Sequence, residues 1–496
     1  MSSPTNSGLF RTKTVEQSIS ETQEEGFRLK RELRTLDLIV FGVSVVIGAG
    51  IFTMTAQVAG DMAGPSVAIA FVLAAVTCGL AAFCYAEFAS TVPVAGSAYT
   101  FSFATFGELI AWIIGWDLVL EFFVAAAVVA KAWSSYAGGL MGSEDFTLLK
   151  VGGLTIDWGA ALLVLVLGAL LARGTKLSSR VSAVITAIKL GVVLFVIVVG
   201  AFHIKAENYR PFIPPAQQNV SGSGEGLKQT LFSWTTGADG SAYGLFGVFA
   251  AASLVFFAFV GFDVVASAAE ETRNPQKAMP RGILITLVIV TVLYVAVALV
   301  LTGMVKYTEL STPEDGHSRT LATAFAANGI EWAGTIINVG AIAGLTTVVM
   351  VMMLGQTRVA FAMSRDGLLP RSLAKTSKHG TPSRITWITT IAIALLAAVA
   401  PAGDLGEMVN IGTLFAFLLV ALGIPVLRKR YPGAASFKTP MVPFVPILSA
   451  IFTLWLMANL SIETWIRFLV WMALGSAVYF LYSRKHSVLA QAEGVE

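Results

Sequence analysis

The chain has 496 residues, 56% hydrophobic and only 13% charged, with 33 Lys and Arg against 30 Asp and Glu and a formal net charge of +3. Soluble domains carry about 25% charged residues, so this chain has too little polar surface to cover a water-facing globule. A mean hydropathy of +0.76 fits an all-α polytopic membrane protein, and the near-neutral charge excludes a nucleic-acid partner.

The first 35 residues form a polar tail, too acidic and too long for the start of a signal peptide. Twelve apolar runs then follow, each close to the ~20 residues that cross a bilayer. They lie near 36–60, 66–90, 106–135, 157–173, 181–203, 243–269, 282–305, 332–362, 385–401, 406–427, 443–459 and 463–483. With the N-terminus inside, 23 Lys and Arg fall on the inner side and seven on the outer. That bias predicts both termini in the cytoplasm.

Run 1 contains "SVVIGAGIF" (44–52). Glycine inside a helix costs about 1 kcal/mol against alanine, so Gly48 and Gly50 mark either a break or a close helix contact. Run 2 holds both cysteines, Cys78 and Cys84, six residues apart on one helix, where they cannot bridge each other; they read as packing residues. Run 3 carries Asp117 and Glu121, four apart and on one face. Glu121, near mid-span, suits a cationic substrate side chain or a helix-pairing, proton-bearing role; Asp117 reads as structural, as does Glu87 in run 2. In run 5, Lys189 is expected to reach carbonyls near the run 1 break. There it would replace a coupling ion or exchange a proton, or else tether helices or snorkel to the interface.

The loop 204–242 is rich in Pro, Gly, Ser and Asn and predicts irregular backbone. Run 6 contains "FFAFVGFDVV" (256–265). Gly261 and Asp263 mark a second break, with Asp263 expected to cap the inner half-helix. Phe256 or Phe257 is the candidate gate over a bound substrate. In run 8, Arg358 suggests a gate or a structural contact near the inner end.

Breaks in runs 1 and 6 are five runs apart. A five-plus-five inverted repeat of LeuT type places discontinuous helices at such positions. A broken helix offers free N–H groups to a carboxylate and free carbonyls to an ammonium. The expectation is a receptor for the two ends of an α-amino acid. The domain reading is a tail over 1–35, a ten-helix core over 36–427, two accessory helices over 428–483 and a tail over 484–496. No phosphate loop, nucleophile elbow or intramembrane histidine pair is present in the sequence, so neither an enzyme nor a haem protein is expected.

The stretches "LDLIVFGVSVVIGAGIF" (36–52), "AGPSVAIAF" (63–71), "CYAEFASTVPVAGSAYTF" (84–101), "GWDLVLE" (115–121), "FFAFVGFDVV" (256–265), "EETRNPQKAMPRGI" (270–283) and "GQTRVAFAMSRDGLLP" (355–370) resemble the bacterial branch of the cationic amino acid transporters. These belong to the amino acid–polyamine–organocation superfamily, and the resemblance covers residues 25–485. It implies a LeuT-type fold and proton-linked uptake of L-amino acids across the plasma membrane, with the proton as coupling ion and no cofactor. By family pattern, substrate meets Ile47, Gly48, Ala49, Gly50 and Ile51 in run 1, and Phe257, Ala258, Val260 and Gly261 in run 6. Lys189 matches the run 5 lysine of proton-linked members, and Glu121 the run 3 carboxylate. The resemblance leaves arginine or lysine against a broad range including alanine open. An amino acid/amine exchanger and a non-transporting sensor are the alternatives, the sensor disfavoured by short tails.

Overall fold

The computed structural model describes residues 8–13, 33–92, 94, 97–142, 144–151, 154–174, 179–218, 226–237, 241–269, 272–311, 320–377 and 381–492. Most of the expected N-terminal tail, the start of the 270–283 motif and the end of the C-terminal tail lie outside them.

The fold is almost wholly helical, and each of the twelve apolar runs falls on a helix or on a pair of helical pieces. Run 1 becomes α1 (Thr35–Val46) and α2, which is wound from Gly50–Met54, Thr55–Val58 and Ala59–Ala63, the outer two with π geometry. A 3₁₀ turn at Gly64–Ser66, with Gly64 at φ 61° and Pro65 behind it, separates α2 from α3 (Val67–Thr91). Next come the short α4 (Ala98–Thr105), α5 (Glu108–Leu140), α6 (Trp158–Ala172) and α7 (Ser179–Ala201). Run 6 divides into α8 (Gly244–Val255), a 3₁₀ turn at Phe256–Phe259 and the single turn α9 (Val264–Ser267). The remaining long helices are α10 (Pro275–Met304), α11 (Glu331–Arg365), α12 (Ser383–Val399), α13 (Ala402–Arg430), α14 (Phe444–Ala458) and α15 (Ile462–Val478).

Among the described residues, eight helical stretches are long and apolar enough to cross a membrane, and four shorter apolar helices accompany them. The chain is therefore a polytopic membrane protein. Helix starts follow local chemistry. Asp157 accepts a hydrogen bond from Ala160 N (3.0 Å) at the head of α6, and Ser461 does the same for Thr464 N (3.3 Å) at α15. Such side chains satisfy amides that no helical turn reaches. Helix α10 begins seven residues before its apolar run because Pro275 suits a first helical position. The loop between α7 and α8 is not wholly irregular: it carries a helical turn at Leu231–Thr236, and Gln217–Gln218 pairs with Ser241–Ala242.

Helices α5 and α11 pack against each other at the centre of the bundle, and α10 packs along α3. Helix α15 seats on α5 through tryptophans. Trp116 and Trp471 stack with centroids 4.6 Å apart, and Trp112 Nε1 donates to Gly475 O (2.8 Å). Both cysteines are buried and free.

Glu87, wholly buried on α3, takes a two-pronged contact from Arg428 of α13: Nε to Oε1 at 2.7 Å and Nη2 to Oε2 at 2.9 Å. Thr439 N adds a third bond (2.7 Å). The pair fixes the α13–α14 connection to α3, the structural role expected for Glu87. Breaking such a pair strands a buried charge, at about 3–5 kcal/mol. The partly exposed Arg428 side chain lowers this through solvent screening. Arg428→Ala is expected to destabilise the detergent-solubilised protein by about 3 kcal/mol, and Glu87→Gln by less. Thermal unfolding followed by monodisperse recovery checks the order; equal melting of Arg428→Ala and wild type would refute it.

Candidate functional site

Helix α1 stops because Ile47 leaves helical geometry (ψ 91°), and helical winding resumes at Ala49 and Gly50. The second interruption is sharper. Val260 is extended (ψ 133°) and Gly261 sits at φ 114°, a conformation closed to residues with a Cβ. The two interruptions meet. A Cβ on Gly50 would overlap the Cα and Cβ of Ala258, and a Cβ on Gly261 would lie 2.7 Å from Val45 Cγ1. Gly50 is thus a contact glycine, while a Cβ on Gly48 would find only ordinary contact with Val348 at 3.5 Å.

Carbonyls at and around these interruptions accept hydrogen bonds from side chains of other helices. Lys189 of α7 is 0% exposed, and its Nζ donates to Ser44 O (2.6 Å) and Ile47 O (3.3 Å). Its alkyl chain crosses Gly344 of α11, where a Cβ would come within 2.8 Å. Tyr294 of α10 sends one hydroxyl between the two interruptions, 2.7 Å from Val46 O and 2.9 Å from Ala258 O. A phenol has one proton, so it donates to one carbonyl at a time. Asn410 of α13 donates to Ser253 O (2.8 Å) and Leu254 O (3.3 Å) at the end of α8, and Tyr136 of α5 to Phe52 O (2.6 Å). Below the interruptions, Arg273 N donates to Leu33 O (3.0 Å), joining the chain before α1 to the chain after α9.

The sequence-predicted substrate, gate and coupling residues of runs 1, 3, 5 and 6 are buried, and Arg358 of run 8 is half-buried. Of these, Gly50 abuts Ala258, and Lys189 donates to Ile47 O, while Gly48 faces Val348 and Gly261 faces Val45. Phe256 packs edge-on against Phe417 of α13 (5.6 Å), whereas Phe257 makes no ring pairing among the described residues. Glu121 lies on α5 facing α13: a Cβ on Gly412 would be 3.8 Å from its Cβ and 2.9 Å from Asp117 Oδ1. Neither carboxylate has a hydrogen-bond partner among the described residues. Thr413 lies beside Glu121, yet its hydroxyl donates to Val409 O (3.0 Å). Asp117 therefore has none of the contacts of a structural carboxylate.

Two expectations need correction. Asp263 stands at the N-cap position of α9, but its side chain makes no capping hydrogen bond. The helix after the second interruption is one described turn rather than a half-helix, because Gly261 and the turn at 261–263 consume the chain first. Sequence reasoning missed Tyr294 and Asn410. Their signal was available, since each is a hydrogen-bonding group inside an apolar run, but attention fell on charges.

Two interrupted helices, bridged by Tyr294 and with Lys189 on the first of them, inside an apolar many-helix bundle, define a polytopic membrane protein. The chain belongs to the amino acid permease family, whose model matches residues 33–479. It is 42% identical over 493 residues to the methylthioribose transporter of Bacillus subtilis (strain 168), covering 97% of this chain and 99% of that one. It is 43% identical over 495 residues to the branched-chain amino acid permease BcaP of the same organism, with the same coverage. A vacuolar cationic amino acid transporter 2 of Arabidopsis thaliana is 36% identical over 434 residues, 86% of this chain and 64% of its own.

Overpacking a tight contact costs about 1–3 kcal/mol. Gly50→Ala is expected to destabilise the protein by that amount and to weaken substrate binding more than Gly48→Ala does. Isothermal titration of both purified variants checks the order; equal affinities would show that the Gly50–Ala258 contact does not shape the site.

Proposed function

We propose that the chain is a secondary active transporter that imports L-amino acids by proton symport, with twelve spans and both termini in the cytoplasm. The observation that carries the reading is Lys189, a buried ammonium held on two carbonyls of the first interruption, where a coupling cation would otherwise sit. A buried lysine changes its proton affinity readily with its surroundings. Movement of α1 away from α7 would strip it of Ser44 O and Ile47 O and favour proton release.

The interruptions in runs 1 and 6 support a LeuT-type five-plus-five repeat. So do α5 and α11, which occupy runs 3 and 8 and are matched in length at 33 and 35 residues. In such a repeat the ten-helix core spans 36–427 and α14 and α15 are accessory. Ile47–Ile51 and Phe257–Gly261 then bind the substrate's carboxylate and ammonium, with Phe256 or Phe257 as gate. Glu121 is the carboxylate available to a cationic side chain. The names of the branched-chain and cationic relatives favour an amino acid substrate.

Purified protein in liposomes with an inward proton gradient tests this. Labelled L-arginine, L-leucine and L-alanine are expected to accumulate in empty vesicles, and a protonophore to abolish accumulation. Uptake confined to amine-loaded or amino-acid-loaded vesicles would instead make the protein an exchanger. Lys189→Ala is expected to yield a folded protein whose uptake no longer responds to the gradient. Persisting gradient-driven accumulation in that variant would remove Lys189 from coupling.

A further inference from the structure

Lys205, Arg210 and Lys306 are three of the seven Lys and Arg on the outer side, and all three line one cavity of about 400 Å³. Glu207, Glu309, Asn208 and Asn328 share its wall. Ligand pockets span about 300–1,000 Å³, so the space has room for the polar end of a molecule. The five charged side chains are exposed. Among the described residues none of them makes an ion pair or a side-chain hydrogen bond, although both signs line the same cavity.

Backbone bonds, not the charges themselves, fix this wall. Gly303 O, at the end of α10, accepts from Lys205 N (2.9 Å) and Asn208 Nδ2 (2.8 Å), and the Tyr209 hydroxyl donates to Leu299 O (2.7 Å). The 3₁₀ turn Ala206–Tyr209 is closed by Asn208 N on Lys205 O and Arg210 N on Glu207 O, both at 3.0 Å. Asn328, which ends the helix Leu321–Ala327, is tied to Ala324 O (3.1 Å). The cavity therefore gathers the chain leaving α7, the end of α10 and the approach to α11. Helix α11 runs 35 residues, about 50 Å, from Asn328 to Asp366, where Lys13 of the N-terminal segment makes its ion pair. The cavity thus lies at the other end of the bundle. Phe202 is 84% exposed and Trp332 60%, and Ile204, Phe212 and Ile213 of the same segments are exposed as well. Exposed aromatic side chains at a helix end mark the level where hydrocarbon meets headgroups. At that level Lys and Arg meet lipid phosphate through charge-assisted hydrogen bonds. Glu207 and Glu309 oppose a purely anionic occupant and suit an amino group, and a free ion has no use for the flanking apolar surface.

We propose that this cavity binds the headgroup of a phospholipid carrying both a phosphate and an ammonium. Lys205, Arg210 and Lys306 hold the phosphate, and Glu207 and Glu309 the ammonium. The helical turn Tyr307–Leu310, which contributes Glu309, abuts α2 at the end far from the first interruption: a Cβ on Gly60 would overlap the Leu310 carbonyl. A bound headgroup therefore braces that end of α2. The inference rests on the membrane setting and stands whether or not the protein transports amino acids.

Native mass spectrometry of the delipidated full-length protein, titrated with phosphatidylethanolamine, tests it without any transport assay. Lys205→Gln/Lys306→Gln is expected to bind the lipid about tenfold more weakly than wild type, since two charge-assisted contacts are lost. Lys150→Gln/Lys228→Gln, which removes the same charge outside the cavity, should bind as wild type does. Glu207→Gln/Glu309→Gln should erase a preference for phosphatidylethanolamine over phosphatidylglycerol. The cavity positions are exposed, so circular dichroism of these variants should match wild type. Equal weakening by the two lysine pairs would reduce the effect to surface charge and overturn the proposal. So would full competition by inorganic phosphate or soluble O-phosphoethanolamine, which would make the occupant a free ion. Equal binding of the two lipids by wild type would overturn it as well.

Discussion

An interrupted helix inside an apolar bundle has carbonyls that must find donors, since each unsatisfied group in hydrocarbon costs several kcal/mol. The rest of this structure answers that demand. Ser44 and Ile47 carbonyls go to Lys189, Val46 and Ala258 to Tyr294, Ser253 and Leu254 to Asn410, and Phe52 to Tyr136. The donors come from α7, α10, α13 and α5. Four helices are thereby fixed in register against the two that break, and the centre of the bundle is defined by hydrogen bonds rather than by shape alone.

The donors differ in what they permit. Asn410 and Tyr136 each bind one interrupted helix. Tyr294 bridges both, and its single proton cannot satisfy Val46 O and Ala258 O together. Lys189 brings a full charge, so its contacts are stronger than neutral hydrogen bonds and more sensitive to displacement of α1.

Much of this was legible in the sequence. The apolar runs locate the helices because hydrocarbon thickness sets their length. Gly48, Gly50 and Gly261 locate the interruptions because only a break or a contact repays glycine there. Lys189 stands out because a charge in an apolar run is costly. What the sequence conceals is partnership. Gly48 and Gly50 look alike in "GAG", yet only Gly50 abuts Ala258, a distinction set by the approach of a helix over two hundred positions away. Asp117 and Glu87 look alike as well. Arg428 reaches Glu87 across 341 positions, and Asp117 has no hydrogen-bond partner among the described residues. Tyr294 and Asn410 were hidden because a neutral polar side chain in a membrane run is common enough to pass unnoticed.

That contrast between Glu87 and Asp117 separates two uses of buried charge. Glu87, with Arg428 and Thr439 N, has all it needs, and its neighbourhood gains nothing by moving. Asp117, Glu121 and Asp263 are buried in the same interior with no hydrogen-bond partner among the described residues. Structural carboxylates are placed where the fold completes them. At Gly412 of α13 the fold leaves room for Asp117 and Glu121, since a Cβ there would come within 2.9 Å of Asp117 Oδ1.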